Sequence, residues 1–157
     1  MKRNVLLLLL SIIGIVFLTT FTISCKRGHL RSGVTVLHVI DHATSEYIAD
    51  VMPEGDSVGD ILGFSNELFD ETNKNKIGTA NGFCIRTAVG EAWECVWTVS
   101  LAQGQIMAQG PFYDKRDSVV TITGGTGSYN KARGSVKLHT RNKEGTEFDF
   151  IYEILHY

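Results

Sequence analysis

Several residues in this chain have side chains that could do chemistry. His38, Asp41 and His42 form His-x-x-Asp-His, the residue types of a metal centre. On an extended strand, however, His38 and His42 share one face and Asp41 points to the other. Zinc takes about three or four ligands, and His29, His139 and His156 are scattered, so no metal site is expected. Cys84 and Cys95 lack the C-x-x-C spacing of metal or redox motifs and have no identifiable histidine partner. No Gly-x-Ser-x-Gly is present either, so covalent catalysis of the hydrolase or protease kind is not indicated. Asp114-Lys115-Arg116-Asp117 is a charge run that reads as a solvated rim loop, with a gating lid as the sharper alternative. Asp117 lies beside two cations and is expected to stay ionised, which makes it a poor acid. Arg86 lies on the strand face of Cys84. If that face points inward, Arg86 is a buried cation that needs an anion, and Glu91, Glu94 or a fatty-acid carboxylate would serve.

The elements that must position these side chains are strands. From residue 34 onward, β-branched and aromatic runs alternate with Gly, Asn and Asp clusters, and no helical period is sustained. The runs are 34–41, 59–69, 77–87, 92–102, 105–112, 118–123, 134–141 and 147–155. Most intervening turns are short, which predicts an antiparallel meander. Eight such strands can form a sandwich or close into a barrel, and closure removes exposed edges. In the fourth run Trp93, Cys95, Trp97, Val99 and Leu101 share the expected core face. A turn centred between Val89 and Gly90 sets Thr87 opposite Ala92, Ile85 opposite Glu94 and Cys84 opposite Cys95. The two sulfurs can then form a disulfide or remain buried thiols. Gly124, Gly125 and Gly127 allow positive φ and close backbone approach, and 128–133 can make a helical turn that plugs a barrel end. No Gly-Lys-Ser/Thr follows, so a phosphate-cradling loop is not expected.

Residues 1–24 are set aside from the fold. Lys2 and Arg3 precede the apolar run Val5 to Leu18, and Thr22 and Ser24 are small residues at cleavage-like positions. The segment reads as a signal peptide or an uncleaved N-terminal anchor. Thr22-Ile23-Ser24-Cys25 resembles a bacterial lipobox, which implies a lipid on Cys25 and a membrane tether through a solvated linker over 25–33. The expected location is therefore outside the cytoplasm, secreted or lipoprotein-like. Without residues 1–24 the chain has 13 basic against 17 acidic side chains and no basic stripe, so nucleic acid is not an expected partner.

Several segments together resemble one family. Gly59-Asp60-Ile61-Leu62-Gly63-Phe64-Ser65-Asn66-Glu67-Leu68 is similar to the Gly-Asp-x-x-x-Phe-x-Asn-x-Leu segment of allene oxide cyclases. Gly82-Phe83-Cys84, Gln109-Gly110-Pro111, Asp117-Ser118 and Ile122 to Gly127 match further segments in order. Gly124 to Gly127 and Ala132-Arg133-Gly134 also resemble dirigent proteins. The resemblance covers residues 34–155. It implies an all-β fold, an eight-stranded antiparallel barrel over 34–157 with an apolar pocket, commonly a homotrimer. It also implies site residues. Asn66 falls at the asparagine that helps hold an ordered water, Cys84 at the pocket cysteine, and Phe112 where the cyclases have tyrosine. The family's pocket glutamate on strand one has no equivalent, because His38 or Val39 falls there, so no pocket carboxylate is expected.

The function implied is cofactor-independent guidance of a small apolar or phenolic molecule through cyclisation, as by an isomerase, or through stereoselective coupling. Asn66, Cys84 and Phe112 would line the site. Two other uses of the fold are a lipid- or ligand-carrying barrel without turnover, and a structural barrel filled by Trp93, Trp97, Phe83 and Phe112.

Overall fold

The computed structural model describes residues 33–156. The expectations for residues 1–24, for Cys25 and for the rest of the linker as far as 32 lie outside the described residues.

The described residues form nine strands and a single 3-10 turn. The strands are β1 (Gly33–His42), β2 (Glu46–Ala49), β3 (Ile61–Asp70), β4 (Lys76–Ala88), β5 (Ala92–Leu101), β6 (Gly104–Tyr113), β7 (Ser118–Gly125), β8 (Arg133–Thr140) and β9 (Glu147–His156). From β3 to β9 each strand pairs with the next, β9 pairs with β1, and β1 pairs with β3, so eight strands close into an antiparallel barrel.

β2 is the strand that the sequence pattern does not mark. Its four residues are all exposed and show no alternation of burial. It continues β1 after a break: His42 pairs with Glu67 and Glu46 with Phe64, four steps on one side against three on the other. The break is bridged locally, since Ser65 N–H donates to the Ser45 carbonyl at 2.9 Å and Glu67 N–H to the Thr44 hydroxyl at 3.2 Å. This continuation sets Glu46 beside the barrel mouth.

The inward face of β5 is buried as its alternation requires, with Trp93, Cys95, Trp97 and Val99 in the core. Cys84 lies opposite Cys95 at a Cα separation of 4.0 Å, and the two are joined in a disulfide. Nearer the turn the expected pairing is wrong by one residue. A bulge at Arg86/Ala88 makes Ala88, not Thr87, the partner of Ala92.

One end of the barrel is filled. Trp97 donates its indole N–H to the Tyr152 hydroxyl at 3.0 Å, and both are buried among Val99, Ile106 and Ile122. The 3-10 turn Gly127–Tyr129 closes this end, with Tyr129 packed on the core and Ala132 buried. Of the three turn glycines, only Gly127 takes a positive φ, at 59°. At Gly125 the need is space, since a Cβ would lie 2.5 Å from the Tyr129 carbonyl oxygen.

The filled-barrel expectation fails for the other half. Phe83 is 47% exposed because its neighbour Cys84 faces inward, and Trp93 packs at the end of β5 beneath Arg86.

Candidate functional site

The open half of the barrel holds a cavity of about 190 Å³. Inward positions of seven barrel strands, with Glu46 of β2, supply its walls, among them Asp41 of β1, Phe64 and Asn66 of β3, Cys84 of β4, Phe112 of β6 and Phe150 of β9. An apolar cavity of ~150 Å³ holds a benzene ring. The space here therefore suits one ring or two fused rings and is too small to enclose a long acyl chain.

Asn66, Cys84 and Phe112, the three expected site residues, come together around this cavity. Asn66 is buried, and its Nδ2 donates to Asp41 Oδ1 at 2.8 Å. Cys84 contributes half of the disulfide, so it supplies wall and no free thiol. Phe112 meets Phe148 edge to face at 5.8 Å, and Phe148, Phe150 and Trp97 continue the aromatic surface at 6.4 and 5.6 Å.

The expectation of a pocket without a carboxylate is overturned. Asp41 is 1% exposed and lines the cavity, and Glu46 stands at the same site on β2. Burial pushes the Asp41 carboxyl up to about 7, Asn66 opposes this, and the charge of Glu46 adds to it. Glu46 is also raised, mainly by desolvation. Asp41 Oδ2 and Asn66 Oδ1 are both buried without a protein hydrogen-bond partner. Asp41 could have been found from the sequence, because alternation sets it inward with Val39. Glu46 could not, because β2 has no pattern of its own.

Arg86 is a buried cation, 8% exposed, but it belongs to the scaffold. Its Nη1 donates to both carboxylate oxygens of Asp114 at 2.9 and 2.7 Å, its Nε lies 2.6 Å from Asp56 Oδ1, and its guanidinium stacks 4.0 Å over the Trp93 ring. These aspartates replace the expected glutamates and the expected ligand carboxylate. The rim loop is tied down through Asp114, while Asp117 faces solvent beside His139 at 2.7 Å and takes no part in the cavity. The histidines of the His-x-x-Asp-His motif face outward into other contacts, His38 with Asp149 and His42 with Asn73, each at 2.7 Å.

Known structures of the same architecture match this one. A pyocyanin demethylase is 20% identical, with a TM-score of 0.64, covering 75% of this chain and 100% of that one. The pterocarpan synthase dirigent protein PsPTS1 is 17% identical, with a TM-score of 0.68 and coverage of 80% and 96%. AbnU, an exo-specific intermolecular Diels-Alderase, is 14% identical, with a TM-score of 0.65 and coverage of 80% and 98%. At these identities the likeness is one of fold. The profile of the family described as allene oxide cyclase matches residues 34–144. The closed eight-stranded barrel and this match together establish that the chain belongs to the allene oxide cyclase family.

Proposed function

We propose that the barrel is an enzyme that holds a small apolar or phenolic ring compound in its open half and guides a cyclisation or coupling step without a bound cofactor. The observation that carries this reading is the convergence of one polar pair, Asp41 and Asn66, on a cavity walled by aromatic side chains. Ring closure and coupling depend on holding reacting atoms in one arrangement, which rigid aromatic walls can do. Asp41, poised near neutrality, can take or lend a proton at the polar atom of the ligand. Neighbours of the same fold include a Diels-Alderase and a pterocarpan synthase dirigent protein, whose reactions are of this kind. The reading also has the barrel working outside the cytoplasm, released or tethered through Cys25, and assembled as a trimer.

The test is native mass spectrometry of the protein purified from its own host, with the mass read again after denaturation. A retained small ring compound is expected, and it supplies the substrate for turnover assays. Asn66→Leu is expected to abolish that turnover while circular dichroism remains that of the wild type. A protein that retains nothing and does not respond to added aromatics contradicts the proposal.

A further inference from the structure

The polar lining of the cavity is one-sided. Asp41, Glu46 and Asn66 line it, and no Lys, Arg or His does so among the described residues. With Asp41 ionised, as at pH 8, Asn66 turns its Nδ2 to Asp41, because a carboxylate accepts and a carbonyl oxygen could not donate to it. That orientation leaves Asn66 Oδ1 as an acceptor, and Asp41 Oδ2 is the second; both are buried and unpartnered. The Trp97 indole N–H is taken by Tyr152, and the Tyr152 hydroxyl makes no hydrogen bond to either acceptor. Arg86, the one buried Lys or Arg among the described residues, is already held by Asp56 and Asp114.

Resting on the reading that this cavity is the ligand site, we propose that it selects flat ring compounds with an electropositive group, an O–H or N–H donor or a ring cation, and rejects carboxylates. The electropositive group would meet Asp41 Oδ2 and Asn66 Oδ1 together, while the ring lies against Phe112, Phe148 and Phe150. A buried acceptor left without a donor is costly, so a ligand that supplies one gains what the empty pair lacks. Aromatic faces attract cations and so favour the same class. A carboxylate would instead face a like charge in a poorly solvated space, with no cation to receive it.

The test uses the full-length protein at pH 8 and four probes of one size: 2-naphthol, N-methylquinolinium, naphthalene and 2-naphthoate, with binding read by isothermal titration calorimetry. 2-Naphthol and N-methylquinolinium are expected to bind at least tenfold more tightly than 2-naphthoate. Asp41→Asn is expected to narrow the gap between N-methylquinolinium and 2-naphthoate at least fivefold, with the affinity for naphthalene unchanged. Equal or tighter binding of 2-naphthoate overturns the selectivity while leaving the cavity as a ligand site. Binding of none of the four, naphthalene included, overturns the ligand-site reading, and the selectivity falls with it.

Discussion

Asp41 and Asp60 are two aspartates of nearly equal solvent exposure, 1% and 3%, in regions that treat them in opposite ways. Asp60 closes the loop over 50–60, where its carboxylate accepts the Val51 N–H at 2.8 Å and the Ser57 N–H at 2.9 Å. Those hydrogen bonds hold it below the usual carboxylate range, against the effect of burial and with help from Arg86. Asp41 has the Asn66 amide alone, an acidic neighbour in Glu46, and a second oxygen with no protein partner, and burial pushes it up to about 7. Donor supply and depth both separate the two, because burial is the dominant effect on Asp41 and a lesser one than the backbone donors on Asp60. Ionised, Asp41 costs the fold stability, which an arrangement serving only the fold would have no reason to keep.

Four substitutions sharpen or break this contrast. Asp60→Ala strips two backbone donors of their charged acceptor and is expected to lower stability more than any of the other three, read by urea denaturation. Asp41→Asn is expected to act in the opposite direction, raising stability at pH 8 by roughly 1–3 kcal/mol. The sign follows from proton binding. Between about pH 4 and about 7 the native protein keeps a proton on Asp41 that the unfolded chain has released, so this group lowers stability as pH rises through that window. Wild type should show that fall and Asp41→Asn should lack it. The Asp60 contribution, by contrast, is present above the ordinary carboxylate range and lost as pH falls below it. Asn66→Leu removes the sole donor to Asp41 and is expected to cost roughly 1 kcal/mol and to raise the Asp41 pKa further. Glu46→Gln, at an exposed position, is expected to change stability by less than about 0.5 kcal/mol while lowering the Asp41 pKa. A loss of stability from Asp41→Asn equal to that from Asp60→Ala would break the contrast.

The fold was legible in the sequence wherever neighbouring strands are also neighbours in the chain. Alternation marked the eight barrel strands, and counting back from the Val89-Gly90 turn set Cys84 against Cys95. Glu46–Ala49 was not legible, because a short strand exposed throughout carries no period. The site was legible in its walls, since Asn66, Cys84 and Phe112 all reach the cavity. Its charge was legible in part: alternation sets Asp41 inward with Val39, but Glu46 lies on the unmarked β2, and Asp41 meets Asn66 only through the closing β1–β3 pairing, a contact between distant segments that no local pattern encodes. Arg86 teaches the same lesson: the nearby glutamates were the obvious partners, but Asp56 and Asp114 arrive from two separate loops.

The contrast is tested most directly by a carbon-detected NMR titration of the two side-chain carboxyls in the intact protein. Asp41 is expected to titrate at about 7 and Asp60 below the ordinary value of 3.8. An Asp41 carboxyl that titrates with Asp60, at or below that ordinary value, would show that the cavity pair is as well supplied with donors as the loop and would contradict the account.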